Sequence, residues 1–519
     1  MSKIKEYSKS FYDFFCKNKY VLSFWLILLF SAVIRAVYIS SLPCGLNPDE
    51  ASIGYDAWAI MHYGIDRNGV FLPVQLISWG SGQNALYAYL SMPFIALFGL
   101  NTLSVRMVNF IFGVLSIAAV YHIVKPFFGK TYALISMAFI SISPWHIMIC
   151  RWGLESNLFP LFFTAGAAVL VKSFENRRLL PLAAAIFALS LYSYGSAYVV
   201  VPVFVLAMAV YGYFKAGFKL INITFSAGVF VVIALPIGLC FLTNRFDWSD
   251  IRIFGLTAPQ VGGIGERWNE LTGFSVTHTA RRFFEQIFLQ TDYYVTNQIK
   301  GYGYMYLISL PFTAVGAYKL YKHKSHLSVL LLAWIACSVL LFFTYSDTNI
   351  NRVNIIFMPI IIVTAIGLAE VFKNKRFAVL LTACYAVMFC SFAKYYFTEY
   401  NKVIAPFFYS SIEKAIPKAE ELREEGQTVY MTDSLNKSYI YALFYSKTSP
   451  EVFIKTADIP NPDAQFYDCN SFEGYVFDTS SIESCSSGVY ILPNGEAARY
   501  LETADEYYIY ELYTVIKIK

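Results

Sequence analysis

Charged residues are scarce in this sequence. They occupy 14% of the 519 positions, whereas hydrophobic residues occupy 57% and aromatic residues 18%. Soluble domains usually carry about 25% charged residues, so this chain has too little polar surface to cover a water-soluble globule. Most of it is therefore expected to face lipid. The net charge of +5 is modest and gives no indication of a nucleic-acid partner.

The sequence also lacks the motifs of several common enzyme and metal sites. It contains no glycine-rich phosphate loop, no Walker lysine and no GxSxG nucleophile elbow, so a nucleotide-driven reaction is not expected. It has no CxxC pair or histidine-rich cluster, which argues against a structural zinc site. Among the nine cysteines, Cys469 and Cys485 could form a disulfide, a question that the sequence leaves open.

Long apolar runs dominate the sequence. A membrane-spanning helix needs roughly 17–25 mostly apolar residues, and about eleven stretches approach that length, at residues 20–39, 105–124, 131–149, 158–171, 179–194, 197–213, 220–242, 304–321, 327–343, 353–371 and 377–392. The predicted fold class is a polytopic α-helical membrane protein whose transmembrane part covers residues 1–393. The first run is not interpreted as a signal peptide, because it is long enough to span and no small-residue cleavage site follows it.

Lysine and arginine alternate between the loops. The amino-terminal segment is basic, and so is every second short loop, with clusters at residues 125–130, 172–178, 215–219, 322–324 and 373–376. Cytoplasmic loops carry an excess of lysine and arginine. The amino terminus is therefore predicted to be cytoplasmic, and an odd number of spans places the carboxyl terminus outside.

This topology places two long loops outside, at residues 42–104 and 242–303. The first contains an apolar segment, residues 85–100, but counting it as a span would invert the orientation of every later loop. It is therefore predicted to lie in the membrane interface or to pack against the bundle. In the second loop, TARRFFEQIF at residues 279–288 is predicted to form an amphipathic interfacial helix.

The composition changes near residue 394. SIEKAIPKAEELREEG, at residues 411–426, has the pattern of an amphipathic helix. The runs TVYMTD, YVFDT, GVYILP and YYIYELYTVIKI have the composition of strands. A mixture of helices and strands favours layered packing, so residues 394–519 are predicted to form a small extracytoplasmic α/β domain.

An acidic motif stands at the start of the first external loop. The stretch NPDEASIGYDAW, residues 47–58, places Asp49 and Glu50 just after the first span, with Asp56 one heptad beyond Asp49. Carboxylates are costly at the edge of a bilayer, which indicates a functional role. The alternative is that the pair only caps an interfacial helix. Asp56 is interpreted as a solvated or structural carboxylate.

Three further motifs share the outer side. LFGLNTLSVRMVNFIFGVL carries Arg106, SPWHIMICRWGLESNLFPLFF carries Arg151 and Glu155, and NINRVNIIFMPIII carries Arg352. In this order, and together with the acidic motif, they resemble the GT-C superfamily of membrane glycosyltransferases. Within that superfamily they are similar to the dolichyl-phosphate-mannose protein mannosyltransferases and to the bacterial lipid A aminoarabinose transferase. The resemblance covers residues 20–392.

Two departures from this group limit what the resemblance implies. Val353 stands where the group has a tyrosine, and SWGSGQNALY at residues 78–87 replaces a Lys-Pro or Pro-Pro stretch found in many relatives. Because the relatives' residues at that stretch touch substrate, neither the sugar nor the acceptor can be transferred to this chain.

The resemblance implies an inverting sugar transfer. The donor would be a polyprenyl-phosphate sugar in a bacterial plasma membrane, and the acceptor an extracytoplasmic hydroxyl of a protein, lipid or cell-envelope glycan. Asp49 matches the group's catalytic aspartate and is the predicted general base, with Glu50 orienting the loop beside it. Glu155 is expected either to orient the acceptor or to hold a divalent metal with Asp49. The sequence leaves the need for a metal open.

Arginine suits the donor phosphate, because its guanidinium is a planar, permanently charged fork. Arg352 is the first candidate, and Arg151, which is expected to bound the same outward cavity, is a further one. Arg106 and Arg35 are weaker phosphate candidates. Such arginines can instead extend to the membrane interface, and Arg151 with Glu155 could form only an i, i+4 surface pair.

Two other function classes stay open at the level of the sequence. One is a flippase or transporter of lipid-linked glycans, although internal repeats and charges within the spans, which mark such proteins, do not stand out here. The other is a non-catalytic accessory membrane protein with an external binding domain. That class leaves the acidic motif unexplained.

Overall fold

The computed structural model describes residues 2–80, 82–261, 276–345, 348–462, 464, 466–484 and 486–519. Eight helices in these ranges are long and apolar enough to cross a membrane. They are Asn18–Ala36, Thr102–Ser141, Glu155–Ser173, Ala197–Lys215, Leu220–Arg245, His326–Thr344, Ile350–Val371 and Lys375–Thr398. Cys485, one of the two cysteines of the suggested disulfide, lies outside the described residues.

The helices, in chain order, are α1 (Ser2–Ala36), α2 (Pro48–Tyr63), α3 (Leu86–Phe98), α4 (Thr102–Ser141), α5 (Pro144–Ile149), α6 (Glu155–Ser173), α7 (Leu180–Ser190), α8 (Ala197–Lys215), α9 (Leu220–Arg245), α10 (Val276–Ile287), α11 (Leu310–His323), α12 (His326–Thr344), α13 (Ile350–Val353), α14 (Phe357–Val371), α15 (Lys375–Thr398), α16 (Tyr400–Ile404), α17 (Ile412–Leu422), α18 (Ser438–Ser446), α19 (Pro450–Thr456) and α20 (Asn494–Ala497). The eleven predicted spans correspond to the eight long helices and two shorter ones.

The sequence predicts more spans than the structure has long apolar helices, and the reasons are local. The second and third predicted spans lie in α4, which bends where Gly129 takes a φ of 81°, a conformation that favours glycine. Pro126, three residues earlier, cannot donate the backbone hydrogen bond of a helix interior. The predicted spans 179–194 and 304–321 correspond to α7 and α11, which have 11 and 14 residues and are shorter than a full crossing.

The apolar segment at residues 85–100 forms α3, a helix of 13 residues that packs on α2 and α4. It is too short to span a bilayer, which agrees with the prediction that this segment is not a span. The amphipathic segment of the second loop forms α10, which contacts the end of α12. Thr279 donates to the Phe342 carbonyl, and the rings of Phe283 and Phe342 lie 5.1 Å apart.

The carboxyl-terminal region contains a six-stranded mixed sheet in the order β6-β7-β5-β8-β10-β9. Short strand pairs also lie in the two external loops. The strands are β1 (Gln75–Leu76), β2 (Gln83–Asn84), β3 (Ile251–Ile253), β4 (Leu256–Ala258), β5 (Val429–Met431), β6 (Ser471–Phe472), β7 (Tyr475–Val476), β8 (Gly488–Pro493), β9 (Glu506–Ile509) and β10 (Tyr513–Ile518). In the sheet, β5 runs parallel to β7 and β8, and the other pairs are antiparallel.

One hydrophobic core joins the first loop to the carboxyl-terminal region. It contains buried side chains of α2 and α3 together with those of α17, α18 and the sheet. At Gly54 of α2, a Cβ atom would lie 2.7 Å from both Phe444 of α18 and Val105 of α4. The helix α2 therefore fits closely between the transmembrane bundle and the carboxyl-terminal region, and both of these lie against the same loop.

Candidate active site

The acidic motif forms the first turn of α2. Asn47 caps this helix: its side-chain oxygen accepts from the Asp49 amide at 3.0 Å, and its own amide donates to Glu50 Oε2 at 3.0 Å. Pro48 occupies the first helical position, where a missing N–H costs nothing. Asp49 is half-buried, whereas Glu50 is fully buried. The two neighbouring carboxylates thus lie in different environments.

Both oxygens of Glu50 are held by protein donors. Arg106 donates through Nε to Oε1 at 2.8 Å and through Nη2 to Oε2 at 3.1 Å. The Gly153 amide donates to Oε1 at 2.6 Å, so Glu50 joins the start of α2 to the loop between α5 and α6. A bidentate ion pair with two additional amide donors is strong and directional. This geometry makes Glu50 an orienting group of the loop.

Arg106 uses its remaining donors on the chain that enters α2. Its Nη1 donates to the carbonyls of Ile39 and Pro43 at 3.0 and 2.7 Å, and its Nη2 donates to the carbonyl of Gly45 at 2.8 Å. All five guanidinium N–H groups therefore have protein acceptors. A donor phosphate at Arg106 would have to displace one of them, so the contacts in this structure are those of a residue that holds the loop, and the predicted phosphate binding of Arg106 stays a prediction.

Arg151, like Arg106, donates to backbone carbonyls. Its guanidinium is buried over the rings of Tyr396 and Phe397. Its two terminal nitrogens donate to four carbonyls after α1 and at its end, those of Ile34, Arg35, Val37 and Leu42. It does not form a helical surface pair with Glu155, because α5 ends at Ile149 and α6 begins at Glu155. These contacts show Arg151 holding the chain at the end of α1, and its place at the outward cavity stays a prediction.

Glu155 opens α6 and is nearly buried. Its Oε2 accepts from the backbone amide of Asn84, on β2, at 2.8 Å. The Asn84 side chain in turn donates to the Leu191 carbonyl at 3.0 Å and to the Tyr198 hydroxyl at 2.7 Å. Glu155 is therefore connected to the first loop and to the α7–α8 region. Asn84 is a site residue that sequence reasoning did not single out, since its role depends on contacts distant in the chain.

Arg352 lies in the short helix α13, with its guanidinium 5.1 Å from the centre of the Tyr345 ring. Its carbonyl accepts from the Ser196 hydroxyl at 2.6 Å. Two residues further on, the Asn354 side chain donates to the Ser156 carbonyl at 2.9 Å. These contacts place α13 beside the start of α6, and hence beside the residue that follows Glu155.

The long external loop holds the chain that enters α13. Arg282 of α10 donates through Nε and Nη2 to the Thr348 carbonyl and through Nη2 to Asp292 at 3.1 Å. The other oxygen of Asp292 accepts from the Ile350 amide at 3.1 Å. Both charged side chains are buried. The loop between α9 and α11 thus fixes the start of the helix that carries Arg352.

An apolar cavity of about 470 Å³ lies next to the Asn84–Glu155 contact. Its walls come from α3, α7, α9 and the β3–β4 hairpin. Ala85 and Leu86, which follow Asn84 directly, line it together with Tyr89, Tyr192, Val232 and Pro236. The cavity thus brings an apolar space to the polar groups at the start of α6.

The chain was compared with known proteins. The family model of the dolichyl-phosphate-mannose-protein mannosyltransferases matches residues 84–238. The chain is also similar to ArnT from Cupriavidus metallidurans in its crystal structure with undecaprenyl phosphate. The TM-score is 0.60 and the identity 13%, over 96% of this chain and 98% of that one. The chain has the GT-C glycosyltransferase fold.

A second similarity supports the GT-C fold. The archaeal oligosaccharyltransferase AglB from Archaeoglobus fulgidus, in complex with an inhibitory peptide and a dolichol-phosphate, matches with a TM-score of 0.50 and 13% identity. The alignment covers 84% of this chain but only 64% of AglB. No curated protein sequence matches the chain. Together, the family model and the GT-C structures indicate a multi-pass membrane glycosyltransferase and favour this class over a flippase or an accessory protein.

A second buried charge cluster lies in the first loop of this GT-C fold. Asp56 and Arg67 are fully buried and form an ion pair at 3.5 Å, and the Arg67 amide donates to Asp56. Asp56 is therefore structural and not solvated. Burial, and then the neighbouring charge of Asp56, raises the pKa of Asp66 to about 7. Asp66 accepts from the amides of Asn68 and Val70, so this cluster shapes the loop that follows α2.

Arg35 also has a place within the GT-C bundle. It is fully buried and donates to the carbonyls of Ser31, Ile140 and Ser141 and contacts His146 Nδ1 at 2.8 Å. These contacts join α1 to α4 and α5, and they explain Arg35 without a phosphate. In the part of the chain that the structure describes, no group of three or more His, Cys, Asp and Glu side chains is placed to hold a metal ion.

Proposed function

We propose that this protein transfers a sugar from a polyprenyl-phosphate donor to an extracytoplasmic acceptor hydroxyl, with Asp49 as the general base. The proposal rests on one structural observation. The half-buried Asp49 stands at the start of a helix whose position is fixed by Glu50, Arg106 and Gly153. A carboxylate presented by so constrained a helix is suited to removing a proton from a bound hydroxyl.

The chemistry would be a single displacement. The Asp49 carboxylate accepts the proton of the acceptor hydroxyl while the hydroxyl oxygen bonds to the anomeric carbon of the sugar. The bond from that carbon to the phosphate oxygen breaks, and the polyprenyl phosphate leaves with the electron pair. Attack from the face opposite the phosphate inverts the anomeric configuration. Phosphate is a good leaving group, so no acid needs to be assigned to its oxygen.

Arg352 is the proposed partner of the donor phosphate. Its short helix α13 lies beside the start of α6, which carries Glu155, and the planar guanidinium fork of arginine suits a phosphate. The aromatic face of Tyr345 supports this guanidinium. Glu155 is proposed to orient the acceptor. The alternative role of Glu155 is to hold a divalent metal together with Asp49.

The apolar cavity supports a lipid-linked donor. It lies beside Asn84 and Glu155 and is lined by hydrophobic side chains of α3, α7 and α9. A polyprenyl chain would remain in such a space while its phosphate stays at the bilayer edge, because isoprenoid carbons gain about 25 cal/mol for each Å² removed from water. The solved relatives that bind undecaprenyl phosphate or a dolichol-phosphate make this donor class the natural one to test.

The general base is tested with Asp49→Asn. The amide keeps the shape of the side chain but cannot accept the proton, so the transfer rate should fall by about 10²–10⁴-fold. The full-length protein would be purified with its lipids, and mass spectrometry of these lipids would identify the polyprenyl-phosphate sugar used in the assay. Asp433→Asn, at an exposed carboxylate of the carboxyl-terminal region, is the matched control. An Asp49→Asn variant with full transfer activity would refute the role.

The phosphate partner is tested with Arg352→Lys. This variant keeps the charge but loses the bidentate fork, so the KM for the donor should rise by about tenfold, the equivalent of one charge-assisted hydrogen bond. The control is Arg376→Lys, at an exposed arginine in the first turn of the last span. An Arg352→Ala variant with unchanged donor KM and unchanged rate would reduce Arg352 to a membrane anchor.

A further inference from the structure

The segment that leads from α1 to α2, residues 37–46, is held by side chains from four other parts of the chain. We call it the α1–α2 connection. Arg106 and Arg151 bind its carbonyls from the transmembrane side, at Val37, Ile39, Leu42, Pro43 and Gly45. Asn47, the cap of the helix that carries Asp49, follows it directly. The path of this connection therefore determines where the first turn of α2 lies.

The carboxyl-terminal region holds the other side of the connection. Asn401 accepts from the Cys44 amide at 2.9 Å and donates to the Ser41 carbonyl at 2.8 Å. The Tyr441 hydroxyl, from α18, donates to the Leu46 carbonyl at 3.1 Å. Leu46 is the residue just before the helix cap, so the Tyr441 contact is the last side-chain contact on the connection before α2 begins.

Tyr441 is itself rigidly placed. It is fully buried, and its ring meets the Tyr409 ring edge-on with 5.5 Å between the ring centres. Close to this contact, Gly45 has a φ of 71°, and a Cβ there would lie 2.1 Å from the Phe408 carbonyl oxygen. The connection and the chain before α17 are thus packed backbone to backbone, and little freedom is left in the position of the Leu46 carbonyl.

We propose that Tyr441 is a positioning residue for the sugar transfer: from the carboxyl-terminal region, it sets the place of the first turn of α2 and so of the Asp49 carboxylate. This inference rests on the proposed role of Asp49 as the general base. A base must lie within hydrogen-bond reach of the proton that it takes, and small displacements of reacting groups cost large factors in rate. The carboxyl-terminal region is accordingly part of the catalytic apparatus, although it contributes no reacting atom.

The test is Tyr441→Phe in the full-length protein, which removes only the hydroxyl. The expected result is a fall in kcat of about 3- to 10-fold, the rate equivalent of one hydrogen bond, with an unchanged KM for the donor. Hydrogen–deuterium exchange should rise in a peptide covering residues 44–52, since the amides of Asp49 and Ala51 donate to Asn47.

The matched control is Tyr55→Phe. The Tyr55 hydroxyl donates to the Thr448 carbonyl. This contact joins α2 to the carboxyl-terminal region, just as the Tyr441 contact joins the α1–α2 connection to that region. It lies two turns further along α2, away from Asp49. Tyr55→Phe should leave kcat unchanged and should not raise exchange in residues 44–52. An equal loss of kcat in both variants would mean a general loss of packing and would overturn the proposal.

The two measurements separate this inference from the proposed function. Binding is followed with undecaprenyl phosphate alone, by its stabilisation of the protein against heat, and should be the same in both variants. Faster exchange in Tyr441→Phe with unchanged kcat would overturn the positioning role, as would unchanged exchange. A native protein that transfers no sugar would instead overturn the proposed function, and exchange would then still decide whether Tyr441 fixes the first turn of α2.

Discussion

Asp49 and Glu50 are adjacent residues with opposite surroundings. Asp49 is half-buried, whereas Glu50 is enclosed by the guanidinium of Arg106 and the amides of Asn47 and Gly153. A buried carboxylate with four donors has no capacity left to accept a substrate proton. The contacts of Glu50 are those of an orienting group, and Asp49 is the carboxylate that we propose as the reacting one, so their variants should differ in kind.

Glu50→Gln should reduce stability more than it reduces chemistry. Removing one charge of a buried ion pair leaves the other uncompensated, a change that typically costs about 3–5 kcal/mol. The variant should show a clearly lower melting temperature in detergent, measured by scanning fluorimetry, and a lower yield of folded protein. Asp49→Asn is the matched control, and its melting temperature should equal that of the native protein. A Glu50→Gln variant with native stability would contradict the structural role of the ion pair.

The arginines show what the sequence could and could not predict at this scale. Arg106, Arg151 and Arg352 all stand in external motifs near a span, and nothing adjacent in the sequence distinguishes them. The structure gives two of them a role that the sequence does not show: Arg106 and Arg151 bind backbone carbonyls of the α1–α2 connection and of the end of α1. Carbonyls freed at the end of a helix have no signature in the sequence, because every residue carries one.

At the scale of elements, α10 and the loop after it determine the position of α13. The buried pair of Arg282 and Asp292 holds Thr348 and Ile350, directly before Arg352. The amphipathic pattern of α10 correctly predicts a helix, and its position at the membrane interface stays a prediction. The pattern could not show that the same helix orients a second element about seventy residues later, since that depends on tertiary contacts.

Asp292→Ala should therefore affect the donor site at a distance. It removes the acceptor of Arg282, Asn297 and the Ile350 amide and should cost about 3 kcal/mol of stability. The KM for the donor should also rise, because α13 loses the hydrogen bond between the Ile350 amide and Asp292 that fixes its start. Glu399→Ala is the control: Glu399 pairs with Lys402 at the surface, where such pairs are worth about 0–1 kcal/mol. Equal effects of the two variants would contradict this account.

The lengths of the transmembrane elements mark another limit of the sequence. The positions of the apolar runs were predicted well, because the bilayer requires apolar side chains wherever a helix crosses it. The continuity of α4 through residues 102–141 and the shortness of α7 and α11 were not predicted. Two apolar runs can belong to two separate helices or to one kinked helix. The two cases differ only in whether the helical backbone hydrogen bonds resume after the interruption, and the sequence does not show this.

At the scale of the whole molecule, the shared core of the first loop and the carboxyl-terminal region constrains the topology. Because α2, α3, α17 and α18 pack in one core, these parts must lie on the same side of the membrane. The basic loops predict that this side is the outer one. The structure supports the relation between the two regions, and the choice of side remains a prediction from charge.

Cysteine labelling tests the choice of side. A cysteine at Lys519→Cys, which is exposed at the end of the sheet, should react with a membrane-impermeant maleimide in intact cells. Lys375→Cys, at the exposed start of α15, is the control and should react only after permeabilisation. The native protein gives the background from its own cysteines. The reverse pattern would invert the molecule and place Asp49 in the cytoplasm.

The α1–α2 connection also bears on the order in which the molecule matures. Its carbonyls find their partners at Arg106, then at Arg151, then at Asn401, and finally at Tyr441, in the order of synthesis at the ribosome. A nascent chain that has inserted only its first spans has the acidic motif but not the contacts that place it. We therefore expect the enzyme to acquire its activity late, once the carboxyl-terminal region has folded.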